Sequence, residues 1–296
     1  MLANPHSVLV FVMFLWTSGL VVSKSAASFM TPFELSFSRW VICSLILLIF
    51  CYTKIGNNIS TIRGNFSKLF VLGFLLAMGS TFLIWSVDST TVFNASLLGA
   101  SQPLITLIMA FVIGLETTSR IQYLGILLGL MGVVVLITEA SSDLIANFRF
   151  NLGDVLVLAA VMFYSLYTVC LVKWRLQLPS YIIMTTSSVS ASLILFPLTI
   201  SHSGFAFIDL WFDPIAILII FFMAVFPTAL ATSLWNRAVV NIGANKASVF
   251  INLMPVFGAL ASILIFDDRF KLFHFYGTIL VVIGVWMVAF RKDSSK

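Results

Sequence analysis

The sequence predicts an all-α membrane protein whose ten transmembrane helices form two inverted five-helix repeats. Three observations lead there. Of the 296 residues, 60% are hydrophobic and only 9% charged, with a mean hydropathy of +1.11, whereas a soluble domain needs about a quarter charged residues to cover its surface. The apolar residues fall into ten runs, most close to the roughly 20 that carry a helix across a hydrocarbon core. The chain also repeats itself, with Pro255 lying 152 residues beyond Pro103 in similar surroundings.

Charged or Gly/Pro/Asn-rich breaks separate the runs, which occupy 7–22, 33–52, 69–87, 91–115, 123–138, 154–172, 181–200, 214–235, 244–266 and 273–290. They are apolar on every side rather than alternating, which favours helices over barrel strands. The first run is expected to be a retained span rather than a cleaved signal, because no Lys or Arg precedes it and "WTSG" interrupts it. The second carries Arg39, about seven residues inside. The third and eighth carry Trp85 and Trp235 near their ends. The fourth and ninth, "NASLLGASQPLITLIMAFVIGLE" and "KASVFINLMPVFGALASILIFDD", each hold a proline among Asn, Ser or Gln residues. The fifth and tenth share glycines in register, Gly125 with Gly277 and Gly132 with Gly284.

Lys and Arg are retained on the cytoplasmic side during insertion, so loop charge sets orientation. With both termini inside, 11 of the 16 basic residues lie on the cytoplasmic side and 5 outside. The net charge of +5 therefore needs no nucleic acid partner. Cys43, Cys51 and Cys170 lie within apolar runs and read as small buried hydrophobes, with no metal-ligand spacing.

An odd number of spans per half sets the second half, 151–296, upside down relative to the first, 1–140. That is the arrangement of carriers that work by alternating access. The proline helices then acquire a purpose. Proline removes a backbone donor and obstructs the carbonyl one turn earlier, which is tolerated in hydrocarbon only beside protein or trapped water. Asn94 and Ser101 share a helix face, as do Ser248 and Asn252, and these faces are expected to line a pathway. The alternative is that the prolines only kink packed helices while the polar residues bond between them.

In order and spacing, "FLWTSG", "SFSRW", the two proline segments, "YLGILLGLMGVVVLI", "LGDVLVLAAVMFYSLYTV", "SLWNRAV" and "FYGTILVVIGVWMVAF" resemble the EamA-type transporters of the drug/metabolite transporter superfamily. The resemblance covers nearly the whole chain. It implies two inverted five-helix repeats around a central cavity and transport of metabolites, often outward, across a bacterial cytoplasmic membrane. It places Trp16, Trp85, Tyr164, Tyr167 and Trp235 on cavity helices. Asp267 and Asp268 stand where the family usually has Gly-Glu.

The expected substrate-binding set is Trp16, Arg39, Trp85, Asn94, Ser101, Gln102, Tyr164, Tyr167, Trp235 and Asn252, with Pro103 and Pro255 as helix breaks. Arg39 could hold a carboxylate bidentately, or it could reach the outer surface from a depth of roughly 10 Å. Aromatic walls suit amphipathic or cationic solutes, while Trp and Tyr also belong to interfacial belts. No Asp or Glu lies at the centre of a run, which leaves proton coupling without support beside a uniporter or a counter-substrate exchanger.

No GxxxxGK[ST], HExxH or GxSxG occurs, and His6, His202 and His274 are isolated. The expectation is thus a carrier of small polar or amphipathic metabolites such as amino acids, as a monomer or homodimer in the lipid bilayer, and not an enzyme. No cofactor or metal is expected. The competing class is a non-transporting receptor or scaffold.

Overall fold

A computed structural model describes residues 4–86, 89–90, 95, 98–115, 119–139, 151–265 and 271–290. The expected positions Asn94, Ser96, Glu116, Asp267 and Asp268 lie outside the described residues. Among those described the architecture is all helical. In chain order the helices are α1 (Pro5–Ala26), α2 (Pro32–Asn57), the short α3 (Ile59–Gly64), α4 (Phe66–Ser86), α5 (Gln102–Val112), α6 (Arg120–Ile137), α7 (Leu152–Trp174) and α8 (Ser180–Ser203). After a single turn, α9 (Phe207–Leu210), come α10 (Pro214–Ile242), α11 (Ala244–Ser248), α12 (Leu253–Ile265) and α13 (Leu272–Ala289). Eight of these, namely α1, α2, α4, α6, α7, α8, α10 and α13, are long and apolar enough to cross a membrane.

Local chemistry sets the helix starts. The first backbone N–H groups of a helix have no intrahelical acceptor, and a capping side chain supplies one. Thr31 and Glu34 form a reciprocal capping box at α2, Ser119 and Gln122 do so at α6, and Asn151 and Asp154 at α7. Asp213 accepts from the Ile215 and Ala216 amides at 2.9 and 2.7 Å at the start of α10. Proline occupies the first turn of α1, α2, α5 and α10, where its missing N–H costs nothing.

Small residues bring the helices close. Helices α6 and α13 run antiparallel along a glycine seam. A Cβ on Gly284 would lie 2.6 Å from both the Gly125 carbonyl oxygen and the Gly129 nitrogen, and one on Gly132 would lie 2.7 Å from the Gly277 carbonyl oxygen. Backbones can meet this closely only where side chains are absent, which is how helices associate without a hydrophobic driving force between them. Helix α4 packs on both α7 and α8, and α8 also packs on α2. Outward-facing Ile49, Phe50, Val112 and Phe212 are exposed by three quarters or more, as lipid-facing apolar residues should be.

Helix α10 is not uniform. Residues Ala224–Leu230 form a π-helical turn around Pro227. Pro227 has no N–H to offer the Met223 carbonyl four residues earlier, and the Thr228 hydroxyl donates to that carbonyl at 2.7 Å instead. The ninth apolar run is also divided: α11 passes through a 3₁₀ turn, Val249–Asn252, before α12 begins. Lys271 and Glu139 form an ion pair at 3.0 Å with both side chains more than half exposed. Glu139→Gln is therefore expected to change stability by less than about 1 kcal/mol in a thermal unfolding measurement.

Candidate functional site

Helix α7 is the hub of the polar interior. Its Tyr164, Ser165 and Tyr167 point to three different neighbours. The Tyr167 hydroxyl, 1% exposed, donates to the Asn236 Oδ1 of α10 at 2.6 Å. Ser165 accepts from the Thr106 hydroxyl of α5 at 3.0 Å. The Tyr164 hydroxyl meets the guanidinium of Arg39 on α2. A packed interior requires partners for such groups, and α7 thus ties α2, α5 and α10 together through polar contacts.

Arg39 is only 8% exposed. Its side chain turns inward to Tyr164 and the Cys43 thiol rather than out to the surface, and its Cζ lies 5.6 Å from the centroid of the Trp40 ring. The Trp40 indole is itself held by the Ser80 hydroxyl at 3.1 Å. The Arg39 side chain is thus buried in the bundle. Its Nε has no hydrogen-bond partner.

A second group joins α1 to α10. The Trp16 indole N–H donates to the Pro227 carbonyl at 3.0 Å, and the rings of Trp16 and Trp235 lie 5.1 Å apart. Gly19 permits this approach, since a Cβ there would be 2.9 Å from Pro227 Cβ. Trp235 belongs to the same packed group. The apolar run stops before Arg237, but that arginine is exposed and the helix continues to Ile242, which leaves Trp235 inside the bundle at 2% exposure.

The remaining expected residues separate. Trp85 stands apart, 5.5 Å from Phe33, whose ring is 4.8 Å from His202. Ser101 turns its hydroxyl back onto the Leu98 carbonyl at 2.5 Å, and Gln102 is buried at the start of α5. Pro103 is the second residue of α5 and Pro255 the third of α12, so both occupy first turns. Asn252 is 1% exposed with both amide atoms unpartnered, and a Cβ on Gly129 of α6 would lie 2.9 Å from its Nδ2. Sequence reasoning missed Asn236 and Pro227. The signals were present in "SLWNRAV" and in the proline-threonine pair within "VFPTAL".

The EamA-like transporter family model matches residues 5–138 and again 151–290. A Bacillus subtilis protein described as an uncharacterized transporter, YyaM, is 28% identical over 89% of this chain and 86% of its own length. An uncharacterized transporter of Archaeoglobus fulgidus is 22% identical over 98% and 99%, respectively. A crystal structure superposes with a TM-score of 0.77 over 96% of this chain and 95% of the other, at 18% identity, a likeness of fold alone. Two family matches that together span nearly the whole chain, on a bundle of apolar helices with a polar interior, make this integral membrane protein a member of the EamA-like transporter family.

Proposed function

We propose that the protein is a secondary transporter that exports small polar or amphipathic metabolites, amino acids foremost, by alternating access between two inverted five-helix halves. The observation that carries this reading is the glycine seam. Under the 152-residue offset Gly125 corresponds to Gly277 and Gly132 to Gly284. Gly125 meets Gly284 and Gly132 meets Gly277, so each glycine touches the counterpart of the other. That reciprocity is what a two-fold relation between the halves would produce. Halves related in this way can interchange their conformations around a site between them.

Contacts between distant chain segments support ten crossings. The Thr31 and Ser203 hydroxyls are 3.3 Å apart, yet five long helices separate them in sequence. We take the extra crossing to run through α5. Glu139 and Lys271 are separated by three long helices, and the same parity supports a crossing through α11 and α12. His6, whose Nε2 is 3.1 Å from the Ala289 carbonyl oxygen, brings residues near both ends of the chain to one side. The excess of Lys and Arg makes that side cytoplasmic.

The decisive measurement is flux from liposomes holding the purified protein and preloaded with labelled amino acids. Solute-specific efflux above that of empty liposomes supports transport. Binding without flux favours a receptor. Runs with and without a proton gradient, or with unlabelled solute on the far side, separate proton coupling from counter-substrate exchange.

The proline helices give a second test. A first-turn proline withholds an N–H that has no intrahelical acceptor, so Pro103→Ala and Pro255→Ala are expected to alter folding stability by no more than about 1 kcal/mol. Flux is expected to fall severalfold in both. Unfolding rather than slowed flux would return the prolines to a packing role.

A further inference from the structure

We infer that Arg39 is an anion receptor and that its missing counter-ion is a carboxylate on the transported solute. This rests on the transport reading above and specifies its substrate class. A guanidinium always carries its charge and offers five donors in a fixed fork. In a span, such a group is stable only if it is paired or reaches water. Arg39 has neither kind of relief in full. It is 8% exposed, its neighbours are the neutral Tyr164 hydroxyl and Cys43 thiol, its Nε is unpartnered, and no carboxylate among the described residues pairs with it.

The surroundings are built to hold the fork still. The flat face of the Trp40 ring lies 5.6 Å from Cζ, and Ser80 fixes that ring by accepting its indole N–H. Gly79, beside Ser80 on α4, leaves room for the Tyr164 ring, whose Cδ1 and Cε1 would lie 3.3 Å from any Cβ there. The Tyr164 hydroxyl can accept from the guanidinium, but it is a neutral, single-atom acceptor where the fork suits a bidentate anion. We read it as the stand-in that a carboxylate displaces, after which its own O–H can donate to the bound anion. A cationic or neutral solute gains nothing from this arrangement, and a cation is repelled by it.

The test compares each of leucine, phenylalanine, threonine and glutamine with its α-carboxamide, which keeps the side chain and removes the carboxylate. Two readouts are used with the purified full-length protein: thermal stabilisation in detergent, which reports binding alone, and liposome flux. For the wild type, the best-bound acids are expected to bind at least about tenfold more tightly than their amides. Arg39→Gln is expected to abolish that difference. Arg39→Lys is expected to retain part of it, since it keeps the charge and loses the fork. Tyr164→Phe separates the stand-in from the receptor, and acid preference is expected to persist in it. Amides that bind and move as well as acids overturn the inference while leaving transport intact. So does stabilisation by none of the four acids, or an acid preference that survives Arg39→Gln in a folded protein. Acid-selective binding with no flux overturns the transport reading instead.

Discussion

Gly284→Ala is expected to be among the most destabilising single-methyl additions in the protein. The added carbon would stand 2.6 Å from the Gly125 carbonyl oxygen, 2.6 Å from the Gly129 nitrogen and 2.8 Å from its Cα. All three are backbone atoms of a helix and cannot rotate aside, so α6 and α13 must separate along the whole seam. Overpacking of this kind costs about 1–3 kcal/mol or more. Gly258→Ala is the matched control. It too lies within a helix, α12, but a Cβ there meets nothing within 4 Å. It is expected to be neutral, or stabilising by up to about 1 kcal/mol through helix propensity. Thermal unfolding in detergent distinguishes the two. Equal melting temperatures would mean that the seam tolerates widening.

Tyr167→Phe is expected to have the second large effect. The Tyr167 hydroxyl is the donor that satisfies Asn236 Oδ1, and Asn236 Nδ2 has no partner already. Removing the hydroxyl leaves a fully buried amide with no hydrogen bond, a loss of about 1–3 kcal/mol. Adding Asn236→Leu replaces the stranded amide by an apolar group of similar size, so the double variant should melt above Tyr167→Phe alone. Flux is not expected to return with it if the pair faces the solute path. A double variant less stable than either single variant would show that Asn236 is held by packing rather than by this bond.

The fold was legible in the sequence wherever length and polarity decide the outcome. Eight of the ten apolar runs correspond to long helices, because hydrocarbon admits few other conformations. Less legible were features that depend on a neighbouring helix. In the sequence Trp235 closes its apolar run, because Asn236 and Arg237 follow. The helix continues past it, since an exposed arginine does not break hydrogen bonds along the backbone. The π-helical turn at Pro227 leaves no periodic signal, because the Met223 carbonyl is met by the Thr228 hydroxyl and the Pro227 carbonyl by the distant Trp16 indole. Arg39 could be given a depth by counting residues, but not a direction. Only the assembled bundle, in which side chains of α2 and α7 meet, shows that the guanidinium turns toward Tyr164. Periodicity likewise cannot detect α3 and α9, which are too short to have a repeating face.

The glycine seam also bears on how the chain is made. Residues 120–137 reach the membrane long before 272–289, and contacts of such wide sequence separation form late. Until the second partner emerges, α6 presents Gly125, Gly129 and Gly132 as a bare groove to lipid or to whatever helix is near. During synthesis the first half is thus a waiting surface, and the bundle closes only when residues 272–289 arrive to fill it.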